Sequence, residues 1–453
     1  MDDVIRHLRD NQRAHLDWTI ELCRIPSIST QEKHAPDVRK AVEWTRDLCE
    51  RIGLKAEIHE TARHPLVYAE HCDAPGAPTY LVYGHLDVQP IGDEALWDSP
   101  PFEPTVQGDW LVCRGAADDK GLALVHLRAA AAWLATKKKL PVNLKFLLEG
   151  EEEIGSPNLE PFIRQHRDKL ACDAVLISDT GMIADGYPTI TYGTRGLLYK
   201  EIKLRGPVRD LHSGSYGGAV ANPANVLAEI LASLHDEKQR VNIPGFYDDV
   251  LEASADERKK IADVPFDEAD FFKRLEARGP FGEAGYTTAE RRSIRPTLDI
   301  NGIYGGYMQP GANTIVPAAA GAKVSMRLVP NQSAKKISAA FDETIRARCP
   351  KEVELEILNH GVADAYVAPL GSKEMTAAAA ALETAFVQAP AFTREGGSLP
   401  ILPLFKDVLG ADSLVLGFAS PDSRIHGPNE KVRIPDIDRG AEAVARMLQR
   451  LGL

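Results

Sequence analysis

The sequence predicts an α/β protein in which helices flank a mostly parallel mixed sheet and an α+β domain is inserted. Short apolar runs alternate with helix-like segments as far as Asp179, which is the pattern of parallel βαβ units. The alternation stops after Tyr192 and resumes near residue 371, and this interruption indicates an insertion. A chain of 453 residues is also long enough for about two or three domains.

The individual elements follow from apolar spacing and from Pro and Gly at their ends. In the alternating part, predicted helices lie at 3–23, 36–53, 122–136, 157–166, 371–386 and 435–451, and predicted strands at 55–59, 66–70, 80–84, 110–114, 142–148, 174–177 and 414–418. The insertion contains predicted strands near 195–206, 297–304 and 320–328 and helices near 222–235 and 333–347, with no clear element in 245–295. We therefore assign residues 1–194 and 367–453 to one domain and residues 195–366 to the inserted domain.

Composition and charge argue against several classes of function. The formal net charge is −12, which makes nucleic acid an unsuitable partner. No apolar run is long enough to span a membrane, and the acidic N-terminus lacks the apolar core of a secretory signal. The six cysteines are scattered without a close pair, which favours reduced thiols and a cytoplasmic location.

An acidic cluster follows the apolar run that ends at Leu148. Glu149, Glu151, Glu152 and Glu153 would repel one another and would be costly to desolvate at the end of a buried strand. A divalent metal is the simplest positive partner for them. An acidic run by itself favours a solvated loop, so the metal interpretation depends on the rest of the chain.

Further metal-ligand side chains follow other apolar runs. They are His85 with Asp87, Asp118 with Asp119, Asp179, and His426. Because ligands of α/β sheets bind beyond the carboxyl ends of the strands, we expect these side chains to converge. Histidines and carboxylates without cysteine suit zinc, and also manganese or cobalt. A site for two metals needs a bridging carboxylate and a free carboxylate that takes a proton from the metal-bound water.

In this order the motifs resemble those of the co-catalytic dinuclear zinc metallopeptidases. That group includes the carnosinases, the cytosolic non-specific dipeptidases, glutamate carboxypeptidase and the aminoacylases. The resemblance rests on Gly84-His85-Leu86-Asp87, Ala117-Asp118-Asp119-Lys120-Gly121, Glu152-Glu153 before Ile154-Gly155-Ser156, Ser178-Asp179 and His426. The dipeptidase branch is the most similar, through Asp210-Leu211-His212-Ser213-Gly214, Arg327-Leu328-Val329-Pro330-Asn331 and Gly396-Gly397-Ser398.

The resemblance implies two divalent ions per subunit, Zn²⁺ first and Mn²⁺ or Co²⁺ as alternatives, in a catalytic domain formed by residues 1–194 and 367–453. The implied metal ligands are a bridging Asp118, His85 and Asp179 at one site, and Glu153 and His426 at the other. The peptide bond between Asp118 and Asp119 is implied to be cis. Asp119 and Asp87 are expected to support the ligands. Asp87 is placed either to accept a hydrogen bond from the second imidazole nitrogen of His85 or to act nearby as a supporting carboxylate.

The same resemblance implies the roles of the remaining site residues. Glu152 is the implied general base, and Asp87 supports catalysis. His212 is implied to stabilise the oxyanion in the active site of the partner subunit, and Arg327 is implied to bind the substrate carboxylate. The implied lining of the substrate pocket consists of Ser398, Gly397, Thr314 and Asn313. The inserted domain, 195–366, would be a lid and the interface of a homodimer. The triple Glu151-Glu152-Glu153 leaves the register open by one, and a slip would give the roles of base and ligand to Glu151 and Glu152.

The predicted function is hydrolysis of the amide bond of dipeptides or short peptides that have a free C-terminal carboxylate. An N-acyl amino-acid deacylase or amidohydrolase on the same scaffold is one alternative, and a non-catalytic metal-binding dimer is another. A two-metal phosphoesterase ranks lower, because no Gly-rich phosphate loop or basic cluster lies beside the ligands in the sequence.

Overall fold

The protein folds into two compact units. The computed structural model describes residues 1–397 and 399–453, apart from the side chains of residues 256 and 260. The first unit contains Met1–Tyr192, Ala368–Thr393 and Leu404–Leu453, and the second contains Gly193–Val367 and Arg394–Pro403. The chain therefore enters the second unit twice, the second time for a short segment only.

The helices and strands are numbered here in chain order. The helices are α1 (Asp2–Asp10), α2 (Gln12–Cys23), α3 (Ala35–Arg51), α4 (Lys120–Lys137), α5 (Leu159–Gln165), α6 (Arg167–Leu170), α7 (Ser213–Tyr216), α8 (Pro223–Ala232), α9 (Ala255–Asp263), α10 (Glu268–Arg274), α11 (Thr288–Ser293), α12 (Ala334–Arg348), α13 (Lys373–Phe386), α14 (Ile401–Leu409) and α15 (Ile434–Leu451). The strands are β1 (Lys55–His59), β2 (Leu66–His71), β3 (Thr79–His85), β4 (Thr105–Gln107), β5 (Trp110–Val112), β6 (Asn143–Glu149), β7 (Ala174–Ile177), β8 (Thr189–Thr194), β9 (Gly196–Arg205), β10 (Leu211–His212), β11 (Thr297–Gly305), β12 (Ile315–Val316), β13 (Ala319–Leu328), β14 (Glu354–Ala363), β15 (Tyr366–Val367), β16 (Ala391–Glu395), β17 (Asp412–Gly417) and β18 (Lys431–Arg433).

A mixed sheet forms the centre of the first unit, with β1, β2, β6, β3, β7, β17 and β8 side by side in that order. The four strands in the middle, β6, β3, β7 and β17, are parallel. The strands on either side of them pair antiparallel. The predicted class, α/β with a mixed sheet and flanking helices, is confirmed. Only three of the six pairings among these seven strands are parallel, so the prediction of a mostly parallel sheet holds for its centre alone. Parallel strands are buried on both faces, which explains why Ala174–Ile177 is apolar and buried throughout.

Helix α4 is the most buried helix beside this sheet. Every residue from Lys120 to Leu134 is buried, as expected of a helix that is apolar on all sides. It packs against α15, α1 and α2. Its first residue follows Asp119 directly, so the helix begins at the edge of the sheet where the predicted ligands lie.

The second unit contains a four-stranded antiparallel sheet in the order β11, β13, β9, β14. Helices α8 and α12 contribute to its core, for example through Leu227, Ile230 and Phe341, which pack with Ile202 and Val324 of the strands. Strands β10 and β12 form a separate two-stranded ladder.

Two expectations about helices need correction. The predicted helix 3–23 is broken at Asn11, whose φ of −111° and ψ of 13° are not helical, and whose side chain donates to the carbonyl of His7 at 2.8 Å. The unassigned segment 245–295 contains α9, α10 and α11, each of which begins at a side-chain cap. Within the described part of the chain, no helix combines the length and the apolar character needed to cross a membrane.

Candidate metal centre

Three neighbouring parallel strands of the first unit bring predicted ligands to the same edge of the sheet. His85 is the last residue of β3 and is in register with Glu149 at the end of β6. Asp179 lies two residues beyond the end of β7. Gly84 lets the loop after β5 approach, because a Cβ atom there would lie 2.7 Å from Oδ2 of Asp119.

Asp118 lies between the two predicted histidine ligands. Its Oδ1 atom is 3.0 Å from Nε2 of His85, and its Oδ2 atom is 2.9 Å from Nε2 of His426. Each carboxylate oxygen therefore faces a different imidazole, which is the arrangement that a carboxylate shared by two cations requires. The peptide bond between Asp118 and Asp119 is cis, as the resemblance implied.

The other two predicted ligands complete two groups. Oδ2 of Asp179 lies 3.8 Å from Nε2 of His85, and Oε2 of Glu153 lies 3.4 Å from Nε2 of His426. One group consists of His85, Asp118 and Asp179, the other of Asp118, Glu153 and His426, and the ligand atoms of each group lie within 4.8 Å of one another. The structure thus brings all five residues together, and their binding of metal stays a prediction.

The electrostatics of this cluster show a shortage of positive charge. Burial raises the pKa of Asp179 to about 7, with a further contribution from Asp118. Burial also raises the pKa of Glu152 to about 8, although His85 acts against it. Hydrogen bonds to Asp118 and Glu153 raise the pKa of His426 to about 10. Burial of neighbouring carboxylates thus raises their pKa values, as expected of a site whose negative charge a bound cation would balance.

The donor set fits two divalent cations. Two imidazoles and three carboxylates without a thiolate suit zinc, and also manganese or cobalt. Oε1 of Glu153 and Oδ1 of Asp119 are buried and have no hydrogen-bond partner among the described residues. A buried acceptor without a partner is costly, and a cation bound beside Glu153 would satisfy it.

The three consecutive glutamates occupy different environments. Glu151 accepts hydrogen bonds from the backbone N–H of His64 at 2.6 Å and from Nδ2 of Asn158 at 2.8 Å. Its carboxylate is therefore used within the loop, whereas that of Glu153 lies beside the second histidine. The carboxylate of Glu152 takes part in neither set of contacts. This arrangement favours the register in which Glu152 is the base and Glu153 a ligand.

Asp87 contacts His85 and the glutamate loop at once. Its backbone carbonyl lies 3.0 Å from Nδ1 of His85, closer than its Oδ1 atom at 3.5 Å. The carboxylate also accepts the backbone N–H groups of Glu152 and Glu153 at 3.2 and 3.0 Å, which agrees with the predicted role of Asp87 as a supporting carboxylate beside the site. The hydroxyl of Ser29 donates to the same carboxylate at 2.6 Å. Asp87 thus fixes the loop that carries the predicted base.

In the second unit, three residues predicted to act on the substrate lie together. His212 pairs with Ile315 in the ladder of β10 and β12, and Asn313 and Thr314 directly precede Ile315 in the chain. The side chains of His212, Asn313 and Thr314 are exposed. Ser398, also predicted to line the pocket, lies outside the described residues.

Arg327 and Gly397 lie at the opposite end of the second unit's sheet. Arg327 is near the end of β13 and faces the start of β9. Just before β9, the backbone N–H of Arg195 donates to the carbonyl of Gly397 at 3.2 Å. Arg327 lies eight positions after Ala319, which is the end of β13 near β12, and this corresponds to a distance of roughly 25 Å. Within one chain, His212 is therefore far from Arg327.

Three residues in or next to the ligand cluster carry no predicted role: Glu430, Ser29 and Gln89. Nε2 of Gln89 donates to Oε2 of Glu153 at 2.8 Å. Glu430 is buried and lies only four residues after His426, and an acid so close to a predicted ligand is a usable signal. No comparable signal marks Ser29 or Gln89, whose roles depend on contacts between distant segments.

Comparison with known proteins assigns the chain to a family. Residues 81–450 match the model of peptidase family M20/M25/M40. This chain belongs to that family. It is similar to the Cys-Gly metallodipeptidase DUG1 of Saccharomyces cerevisiae, with 32% identity over 394 residues that cover 85% of this chain and 82% of DUG1. It is also similar to the Beta-Ala-His dipeptidase of Rattus norvegicus, with 29% identity over 392 residues, 85% of this chain and 80% of that protein.

A solved structure is similar to this M20/M25/M40 peptidase over nearly its whole length. The M20 family metallo-carboxypeptidase Sso-CP2 from Sulfolobus solfataricus superposes with a TM-score of 0.86 and 34% identity, covering 97% of this chain and 99% of that one. Membership of the family confirms the predicted resemblance and the predicted enzyme class. The chain is a hydrolase of the metallopeptidase type.

Proposed function

We propose that this chain is a dinuclear metal-dependent dipeptidase that hydrolyses dipeptides or short peptides ending in a free carboxylate. The observation that carries the proposal is the position of Asp118 between His85 and His426, at 3.0 and 2.9 Å. The metallodipeptidase relatives support the choice of substrate. Residues 1–194 and 367–453 form the catalytic domain in this proposal, and residues 195–366 form a lid and dimerisation domain.

The chemistry follows from the residues around the shared carboxylate. Two Zn²⁺ ions, when bound by the five ligands, polarise the amide carbonyl and lower the pKa of a water molecule. Glu152 accepts a proton from the attacking water and delivers it to the nitrogen of the leaving amino acid. Asp87 holds the backbone N–H of Glu152 at 3.2 Å and so keeps the base in position.

The second unit supplies the groups that bind the substrate. Arg327 binds its carboxylate through the two parallel N–H groups of the guanidinium, beside a pocket wall formed by Gly397 and Ser398. His212, with Asn313 and Thr314, stabilises the oxyanion. Because these two groups lie roughly 25 Å apart along β13 of one chain, we infer that His212 of the partner subunit completes each site. The protein would then be a homodimer through residues 195–366.

A substrate panel tests this function. The purified chain is loaded with Zn²⁺, Mn²⁺ or Co²⁺ and incubated with dipeptides, with the same dipeptides amidated at the C-terminus, and with N-acetyl amino acids. We expect release of free amino acids from the dipeptides with a free carboxylate and little from the amidated forms. Turnover of the N-acetyl amino acids alone would favour a deacylase. Two bound ions without turnover of any amide would favour a non-catalytic metal-binding dimer.

We also propose a cytoplasmic location. All six cysteines are free thiols, and free thiols are typical of a reducing compartment. Fractionation of cells that express the tagged chain tests this point, with a cytoplasmic enzyme as the marker.

A further inference from the structure

A buried ion pair lies directly behind the shared carboxylate of the metal centre. Glu430 is fully buried and Arg114 is 1% exposed, and Nη1 of Arg114 donates to Oε2 of Glu430 at 2.6 Å. Three backbone N–H groups also donate to this carboxylate, those of Gly115 at 3.0 Å, Ala117 at 2.9 Å and Asp118 at 3.1 Å. Both oxygens of Glu430 are thus used by the loop that carries the predicted bridging ligand.

Arg114 connects this ion pair to the loop that follows β3. Its Nη2 atom donates to the carbonyl of Pro90 at 3.0 Å, and its guanidinium carbon lies 5.5 Å from the centroid of the Trp97 ring. We call Arg114 and Glu430 with these contacts the Glu430 clamp. A charge-assisted hydrogen bond in a dry environment is strong, so the clamp fixes the backbone of residues 114–118 firmly.

The two predicted histidine ligands differ in how the fold holds them. His85 ends a central strand and is fully buried. His426 lies in a turn with a φ of 62°, and its side chain is 54% exposed. The segment that delivers His426 is anchored four residues later, where the carbonyl of Glu430 accepts the N–H of Cys113 at 2.9 Å. The position of His426 therefore depends on the pairing of β18 with β5, which begins at Lys431, and on the Glu430 clamp, and not on a strand of the central sheet.

We infer that Glu430 is a positioning residue for the divalent cation held by Asp118, Glu153 and His426. It fixes Asp118 from behind and fixes the segment that delivers His426, so two of the three ligands depend on it. The other cation site takes two of its three ligands from the ends of β3 and β7. The inference rests on the proposed function, which it deepens by naming what sets the affinity of one of the two sites.

The test compares Glu430→Gln with a matched control, Asp438→Asn. Glutamine keeps the shape of the side chain but lacks the charge and one acceptor oxygen. Asp438 forms an ion pair with the buried Arg128, at 3.3 Å, between α15 and α4 of the same unit, and Asp438 itself is partly buried. Each protein is dialysed against a series of buffered free zinc concentrations, and the ions retained per chain are counted by mass spectrometry.

We expect the wild-type chain and the Asp438→Asn variant to retain two ions over the same range of free zinc. The Glu430→Gln variant should retain one ion over much of that range, because loss of a supporting residue typically weakens metal binding about 10- to 100-fold. Two ions on Glu430→Gln at wild-type affinity would overturn the inference and leave the proposed function intact. Equal loss from Asp438→Asn would also overturn it, since the cause would then be general destabilisation.

Two further outcomes keep the test decisive. A wild-type chain that retains no divalent ions overturns the proposed function, and with it the basis of the inference. If Glu430→Gln does not fold, Arg114→Met replaces it, because this change removes one of the four contacts of the carboxylate and leaves the three backbone contacts. A smaller loss of affinity at one site is then expected, and unchanged binding of both ions overturns the inference.

Discussion

Each unit places an arginine beside residues with predicted site roles, fully buried in the first unit and partly buried in the second, and the two guanidinium groups are hydrogen-bonded in different ways. In the first unit, Arg114 forms an ion pair with Glu430 at 2.6 Å. In the second unit, Arg195 donates to the carbonyl of Gly396 at 3.0 Å and to two further backbone carbonyls at 3.4 Å. Burial and the nearby Arg327 lower the pKa of Arg195 to about 10, which still leaves it charged at neutral pH.

The difference separates two tasks. A matched pair of buried charges fixes a loop without adding net charge to a cluster that must bind cations. A guanidinium that is satisfied by carbonyl dipoles keeps its positive charge, and together with Arg327 it makes that end of the second unit's sheet attractive to an anion. The first unit should therefore govern metal binding and proton transfer, and with them kcat, whereas the end of the second unit's sheet that carries Arg195 and Arg327 should govern KM.

The largest effect is expected for Glu152→Gln in the first unit, and this variant is also the strongest test of the different tasks of the two units. Glutamine has the same size but cannot accept a proton from water, and a positioned base contributes about 10²- to 10⁴-fold. We expect kcat on a dipeptide to fall by that factor, with little change in KM and with both ions retained. Steady-state kinetics and metal analysis of the same preparation measure all three quantities.

The control for this variant is Glu160→Gln, because Glu160 lies on the exposed surface of α5, where it pairs with Arg164 at 2.8 Å. Its kinetics should equal those of the wild type. A full kcat in Glu152→Gln would exclude Glu152 as the base. A loss that appears mainly in KM would contradict the separation of tasks between the units.

An intermediate effect is expected for Arg195→Met in the second unit. The change leaves the carbonyl of Gly396 without its donor and removes a positive charge near Arg327. A hydrogen bond to a charged group contributes roughly 1.5–3 kcal/mol, so KM for a dipeptide should rise about 10- to 100-fold. We expect kcat to change far less, because the groups of the metal centre remain in place.

Arg348→Met is the matched control for Arg195→Met. Arg348 also donates to backbone carbonyls of the second unit, those of Ser233 at 3.1 Å and Asn242 at 2.7 Å, but it does so at the end of α12. Its KM should stay near that of the wild type. If the two variants showed the same KM, Arg195 would act on the stability of the second unit alone.

Much of the first unit could be predicted because its elements are long and their apolar spacing is regular. The strand predicted at 55–59 has those bounds in the structure, and the last predicted helix corresponds to Ile434–Leu451. The convergence of the ligands could be predicted because most of the ligand-type residues follow strands of the central sheet. Asp118 is the exception, since it follows β5, which forms a separate three-stranded sheet with β4 and β18. His426 could be included although it lies far along the chain, because its residue type is unusual beside an apolar run.

The features that could not be predicted depend on weak local signals or on distant contacts. Helices α9, α10 and α11 are short and polar, and their described side chains form no buried stripe that would give a helical period. Strand β14 alternates in burial only on its first half, so period-2 spacing is incomplete. The role of Glu430 depends on partners 312 to 316 residues earlier in the chain, which no local pattern contains.

The smallest expected effect concerns the stability of the first unit in mild acid. His15 of α2 is 4% exposed, and burial, with Arg128 and His7 nearby, lowers the pKa of its imidazole to about 3. The unfolded chain binds this proton near pH 6.5. The neutral histidine therefore stabilises the fold fully above about pH 6.5, and this stabilisation is lost as the pH falls towards 3. Between about pH 7.5 and 5.5 the loss should be about 1 kcal/mol.

Urea unfolding followed by tryptophan fluorescence measures this loss, because all five tryptophans lie in the first unit. His15→Leu should reduce the difference in unfolding free energy between the two pH values, whereas His235→Gln in the second unit should leave it unchanged. Groups of the metal centre also titrate, but they are common to the wild type and to His15→Leu, so the difference between the two proteins isolates His15. An equal pH dependence in both would assign the acid sensitivity of the first unit to the metal centre instead.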